Sequence, residues 1–431
     1  MKLLIWNLSE LEFKDGKNES NNIFAGIANN SMKRFLFFFI FLSFGLLLMA
    51  QEEPSWSVKW KNGVKINRSD GEFKFSLGGR VLYDVMFISQ DSRLDEDFEG
   101  LNGSEFRRLR WYTSGTLYRI IKFKLQFDFA AGDAGVKDAY VEITKIPGVG
   151  NFRAGHFKQP FGYEMATSSK YVNFMERGLT NAFTPERDMG FMIHNREFGN
   201  RLGWYLGFFH PAGNVGKFLG NQWRITARLA GLPVYKPDGR YTVLHLGIAA
   251  VTQFHDSQVL TLSERPEAHL APKYANLKFD AVSYAHVAGA EFSFVRGPWA
   301  VQSELMFTSV DPAEISDALH TSYLYHAFYI QVSWFITGEH KNYSTSKNCY
   351  DIITPNNNLG KGKSGAWELA VRFSQLDLND RDQNGGGMND FTIGLSWYLN
   401  PATRFMFNYV YSDVFNTGHA DIAQVRFQIA F

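Results

Sequence analysis

The sequence predicts an all-β protein, a transmembrane antiparallel β-barrel of about 16 strands. Three observations carry that prediction. Apolar and polar residues alternate in segment after segment, each about ten residues long. One side of the alternation is dense in aromatics, while the other carries full charges in mid-segment. The final segment alternates to its end and closes on an aromatic, Phe431.

The last segments show the pattern best. Val425, Phe427, Ile429 and Phe431 share one face, with Gln424, Arg426 and Gln428 on the other. Before them, Phe405, Phe407, Tyr409 and Tyr411 oppose Arg404, Met406, Asn408 and Ser412. Phe391, Ile393, Leu395 and Trp397 oppose Thr392, Gly394 and Ser396. Trp367, Leu369, Val371 and Phe373 oppose Glu368, Ala370, Arg372 and Ser374. The same period runs through Trp223–Leu229, against Arg224 and Arg228, and through Phe123–Phe129, against Lys122, Lys124 and Asp128. A soluble sandwich also alternates. Aromatic stripes of this density would aggregate in water, so the apolar face belongs against lipid.

Composition agrees. Aromatics make up 16% of the 431 residues and Phe alone occurs 40 times, yet mean hydropathy is only −0.22. A greasy exterior around a wet bore gives that combination; a helical membrane protein would be far more hydrophobic. The net charge of +1 points to no charged partner, nucleic acid included. Any electrostatic role must be local.

Sixteen strands are expected near 73–89, 105–118, 119–130, 137–146, 150–158, 188–197, 201–210 and 221–231, then 240–254, 285–296, 298–310, 322–337, 364–376, 389–399, 402–413 and 421–431. The stretch 274–284 offers an alternative strand. Short turns such as Asn400-Pro401 separate some strands, and the longer polar gaps 90–104, 255–275, 338–363 and 377–388 separate others, as short inner turns and long outer loops would. Gly385-Gly386-Gly387 reads as a flexible loop. Residues 51–72 form either a short lead or a strand of their own.

Residues 32–50, MKRFLFFFIFLSFGLLLMA, read as a secretory signal peptide: Lys33 and Arg34 precede an apolar core, and small Ala50 ends it. The alternative is a membrane anchor. Residues 1–31 read as an upstream extension, with Met32 as the start.

The lone cysteine, Cys349, excludes an intrachain disulfide, and the scattered histidines show no metal spacing, so neither cofactor nor metal is expected. Acidic runs at Asp95–Asp97 and at Asp377, Asp380 and Asp382 suit solvated loop tips better than calcium sites. No Ser and His occupy matching outward positions, which argues against a lipid-hydrolysing barrel enzyme.

Several stretches resemble the phosphate-selective porins of the O/P family. They are FKFSLGGRVLYD (73–84), FRRLRW (106–111), VKDAYVEI (136–143) and GHFKQPFGYE (155–164), then TSSKYVNFMERGLTNAFTPERDMGF (167–191), WELAVRFSQLDLND (367–380) and FTIGLSWYLNPATRFMFNYV (391–410). The resemblance implies a homotrimeric sixteen-stranded barrel in the outer-membrane lipid of a Gram-negative bacterium. A loop near 159–187 would fold inward to constrict the lumen. The implied function is passive, anion-favouring diffusion of inorganic phosphate or other small anions, with a less selective porin for polyphosphate or oligosaccharides as the alternative. The implied constriction set is Arg107, Arg108, Asp138, Ser168, Ser169 and Arg177, with Lys170 adding charge nearby. Where the family pattern suggests a lysine early in the loop, this chain has Met165.

Two cautions come from physics. Any single lumenal arginine, among them Arg224, Arg228, Arg372, Arg404 and Arg426, is as well explained by pairing with an acid that braces the wall. Arg107 and Arg108 are adjacent, so a regular strand would point them to opposite faces unless a bulge intervenes.

Overall fold

The computed structural model describes residues 54–431 except 131, 133, 215 and 314–321. The expected signal peptide and upstream extension lie outside the described residues. Within 51–72 the chain forms strands of its own, a hairpin of β1 (Trp56–Trp60) and β2 (Val64–Arg68).

The barrel staves follow. They are β3 (Lys74–Gln90), β4 (Gly103–Leu117), β5 (Ile121–Asp128), β6 (Gly135–Ile146), β7 (Gly150–Lys158), β8 (Arg187–Glu197), β9 (Leu202–His210) and β10 (Trp223–Lys236). Next come β11 (Thr242–Glu264), β12 (Ala275–Arg296), β13 (Trp299–Pro312) and β14 (Tyr323–Phe335). A small hairpin, β15 (Tyr343–Ser344) and β16 (Cys349–Tyr350), precedes β17 (Ala366–Asp380), β18 (Gln383–Asn400), β19 (Thr403–Val414) and β20 (Gly418–Ala430). Each stave pairs antiparallel with the next, and β20 pairs with β3 from Ala420↔Gln90 to Ala430↔Arg80. This is a closed sixteen-stranded antiparallel barrel, and every expected strand is present. Closure gives the staves mutual backbone partners, the condition for crossing lipid.

The C-terminal aromatic takes part in that closure. The Phe431 amide donates to Gly79 O at 3.0 Å, and Gly79 N donates back to Phe431 O at 2.7 Å. A Cβ at Gly79 would sit 2.9 Å from the Phe431 ring, and one at Gly78 2.3 Å from its carbonyl oxygen. The Gly-Gly pair is therefore the space in which the last residue docks.

The faces fall as the alternation requires. Phe391, Ile393, Phe407, Tyr409 and Tyr411 are exposed on the outer wall, while Thr392, Asn408, Ser412 and Arg426 are buried on the inner one. Stacked aromatics band the outer wall, with Trp299–Trp334 centroids 5.4 Å apart and Trp367–Trp397 5.0 Å apart.

Three expectations need correction, and one alternative is decided. The gap 377–388 is mostly strand, and Gly385-Gly386-Gly387 lies within β18 rather than in a flexible loop. Those glycines are packing positions: a Cβ at Gly385 would meet Leu277 at 2.6 Å, and one at Gly387 would meet Phe415 at 2.6 Å. The gap 255–275 is also mostly strand, because β11 and β12 pair out to Glu264↔Ala275; the stretch 274–284 extends β12 and adds no seventeenth stave. Segment 336–365 is long but is not an outer loop. It joins β14 to β17, so strand parity puts it at the same barrel end as the short turns at 297–298 and 401–402. Length alone does not encode the side, because this segment folds inward with β15 and β16. The alternative decided is at Arg107 and Arg108, where the bulge that lets both face inward is present: Leu82 pairs with Arg108 and Tyr83 with Phe106, leaving Arg107 as an extra residue. Phe106 and Leu109 keep their exposed outer positions, and both arginines turn inward.

Candidate functional site

The lumen is filled chiefly by segment 159–186, between β7 and β8. Its entry is fixed by one carboxylate. Glu304 on β13 accepts the amides of Tyr163 at 2.6 Å and Glu164 at 2.9 Å, and the Tyr329 hydroxyl at 2.6 Å. These amides open a single helical turn, Tyr163–Ala166, so an acceptor there satisfies donors that have no helical partner. Gly162 precedes them at φ 75°, and a Cβ there would lie 3.0 Å from Glu304 Oε1. Glu164 then folds the loop on itself by accepting Gly178 N at 3.0 Å. Burial pushes the Glu164 carboxyl above its usual range despite nearby Arg372.

The far side of the loop packs on the β11–β18 wall. Leu179 and Phe183, in the 3₁₀ turn Leu179–Phe183, are buried with Ala249, Met306, Tyr325 and Ala327. Segment 336–365 meets the loop from the short-turn end, with the Tyr163 and Tyr350 rings 5.1 Å apart.

Three of the expected lumenal arginines hold the loop by its carbonyls. Arg372 donates to Glu176 O at 3.1 Å, Arg404 to Val172 O at 3.0 Å, and Arg426 to Met175 O. Arg372 is also paired with Glu267, and Arg426 with Asp84 and Glu176. Arg228 pairs with Glu291 and Arg224 with Asp188. Four of these five are paired with an acid; Arg404 is not, and donates instead to Val172 O, Tyr398 Oη and Gln428 Oε1.

The β3–β8 wall is different. Arg108 has no carboxylate partner, and its Nε is buried without a hydrogen-bond partner among the described residues. It lies within electrostatic reach of Arg107, Arg110 and Arg177, and of one acid, Glu176. Arg107 is held by Glu176 at 2.7 and 2.9 Å. Burial alone would raise the Glu176 carboxyl, but Arg107 and Arg426 outweigh it and hold it well below the carboxylate range. Arg177 donates through Nε to Glu164 O at 3.2 Å.

Further toward the short-turn end, Arg80 donates to Ser169 Oγ at 2.8 Å and Ser168 Oγ at 3.3 Å, with no acid as partner. Lys170 lies over the rings of Tyr112 and Tyr171, at 5.9 and 5.3 Å, and near Arg80 and Lys124. Burial first, then Arg80 and Lys124, bring the Lys170 amine down to about 7. Asp138 is an organiser here rather than a donor. It accepts from Lys124 and, at 2.8 Å, from Arg187, binding three strands into one wall.

The expected set therefore falls into two neighbouring groups, one of Arg107, Arg108 and Arg177 and one of Ser168, Ser169 and Lys170, with Asp138 behind them. Sequence reasoning missed Arg80, although it stands in the inward phase of β3 opposite outward Val81 and Tyr83. It also missed Lys158, whose Nζ supports the loop by donating to the carbonyls of Met165 and Thr167. Met165, where a lysine was expected, is buried. Among the described residues, no group of three or more His, Cys, Asp or Glu side chains is arranged to hold a metal ion.

A family model described as "Phosphate-selective porin O and P" matches residues 75–431, the whole barrel. This chain belongs to the phosphate-selective porin O and P family. Porin O of Pseudomonas aeruginosa is 23% identical over 391 residues, covering 82% of this chain and 86% of that protein. An uncharacterised protein of Caulobacter vibrioides is 27% identical over 375 residues, covering 82% and 71%. Among solved structures, an anion-selective porin from Comamonas acidovorans superposes with a TM-score of 0.51 at 13% identity, covering 84% of this chain and all of that one, a likeness of fold. The porin is an anion-selective protein of the Gram-negative outer membrane, and the short-turn end of its barrel is periplasmic.

Proposed function

We propose that phosphate and related small anions cross this porin along the β3–β8 wall. They pass Arg107, Arg108 and Arg177 first, then Arg80, Ser168, Ser169, Lys124 and Lys170. One observation carries the reading: Arg80, Arg108, Arg177 and Lys170, on this wall or on the loop facing it, have no paired carboxylate among the described residues, while Arg224, Arg228, Arg372 and Arg426 are paired with acids and Arg404 is taken up by Val172 O, Tyr398 and Gln428. A phosphate leaving water recovers its hydration from guanidinium forks and hydroxyls. Two groups of moderate donors let the ion leave as well as enter. The low-dielectric wall concentrates their field in the bore. In this reading the porin is a passive pore and not an enzyme. It works as a homotrimer, after a leader at 32–50 has taken it across the inner membrane.

A planar-bilayer recording tests this directly. A potassium chloride gradient should give an anion-selective reversal potential, and added phosphate should block the chloride current. Cation preference would end the proposal. Anion preference without block would leave the less selective pore for polyphosphate or oligosaccharides, which the buried Met165 in place of a lysine favours.

Two smaller effects are expected. Arg177→Ala should weaken anion preference by about 1 kcal/mol of ion binding, the worth of one screened charge; an unchanged reversal potential would remove Arg177 from the path. Lys170 is charged below about pH 7 and neutral above it. Chloride preference should therefore decline as pH rises through that value, and Lys170→Gln should flatten the decline. Chloride is the right probe because phosphate itself titrates in this range.

A further inference from the structure

The hairpin β1–β2 lies outside the sixteen staves and is not used by the anion path. Strand β20 pairs with β3 only from Arg80 onward, which leaves the edge of β3 open nearer the periplasm. Strand β2 fills that edge, pairing Val64 to Asn67 with Leu77 to Lys74. The hairpin thus continues the barrel sheet as a two-stranded ribbon at the periplasmic rim.

Its register sorts the side chains by face, with Arg68, opposite Trp56 and tied to Asp70 and Glu72, the one charge at the end of the apolar row. Val64 stands opposite Leu77 and Ile66 opposite Phe75, on the lipid-facing side of β3; Val58 and Trp60 extend the same row through Ile66 and Val64. The other side carries Lys59, Lys65 and Lys74 with Ser57, Asn67 and Ser76. Every residue of β1 is exposed, Val58 and Trp60 at 68% and Trp56 at 46%. A two-stranded ribbon is marginally stable in water at best, and this one exposes the indoles of Trp56 and Trp60 on one face.

We propose that the outer face of this ribbon is seated in the periplasmic leaflet of the bilayer, as an interfacial anchor at the foot of the barrel. Its occupant is phospholipid, because the face is continuous in register with the lipid-facing wall of β3. The chemistry fits the depth. Indole rings prefer the headgroup boundary, and the lysines of the opposite face stay in water.

A nitroxide scan tests this on the full barrel in nanodiscs of phosphatidylethanolamine and phosphatidylglycerol. Single-cysteine sites are Val58→Cys, Trp60→Cys and Lys59→Cys; Cys349 is buried, so the parent protein serves as the labelling control. The label at 58 and at 60 should collide with dissolved oxygen but not with an aqueous nickel chelate. The label at 59 should show a severalfold higher chelate accessibility. Chelate access at 58 equal to that at 59 would put the face in water and overturn the proposal. Protection of 58 from both reagents would mean a protein cover, such as a second copy, and would overturn it equally. Unchanged single-channel conductance in each variant shows that the barrel has folded.

Discussion

Arg80→Ala should remove most of the anion preference while leaving an open channel. At about 5 Å, a unit charge in an effective dielectric near 20 is worth about 3 kcal/mol to a passing anion. Water and salt in the bore screen this, leaving roughly a tenfold loss of anion occupancy. Among the described residues no carboxylate pairs directly with Arg80, and its bonds to Ser168 and Ser169 put the fork and two hydroxyls at one point. The reversal potential in a salt gradient should move toward zero, and phosphate block should need about ten times more phosphate. Arg80→Lys keeps a charge but loses the fork, so it should retain chloride preference better than phosphate block. If Arg80→Ala kept both the wild-type potential and the block, the path would have to run elsewhere.

Glu304→Ala should free the constriction loop from its wall. The substitution leaves the amides of Tyr163 and Glu164 and the Tyr329 hydroxyl without their acceptor in a buried site. Each buried orphan costs about 1–3 kcal/mol, so a combined loss of roughly 3–9 kcal/mol is expected. The unfolding temperature followed by heat-modified gel mobility should fall. Open-channel current should become noisier, and ion selectivity should weaken because Ser168, Ser169 and Lys170 are no longer fixed. Glu304→Gln retains a carbonyl acceptor and should lie between. A quiet, fully selective channel from Glu304→Ala would mean that the packing of Leu179 and Phe183 alone holds the loop.

Much of the architecture was legible because a barrel wall is a one-dimensional code. Each residue faces either lipid or the bore, so Phe407, Tyr409 and Tyr411 against Asn408 and Ser412 state a strand and its orientation without reference to any other segment. The inward phase also gave Lys124, Arg228, Arg372, Arg404 and Arg426 correctly as lumenal. Their work was not legible. Whether an arginine binds a passing ion or braces a loop depends on which acid or carbonyl reaches it from far along the chain, as Glu267 reaches Arg372.

The bulge at Arg107 shows the same limit at a single residue. Alternation allowed one of the two adjacent arginines to face inward, and only the pairing of β4 with β3 turned both that way. Likewise, polarity marked 338–363 as a loop. Its side and its inward fold were set by strand parity and by packing of its Tyr350 against Tyr163.

By itself the sequence determined a barrel wall of about sixteen strands, its lipid face and its wet face, because those follow from local period and side-chain solubility. Tertiary structure alone decided which cations stay free of acids, where the loop rests and how β1–β2 extends the sheet, because ion pairing and edge pairing are contacts between segments distant in the chain.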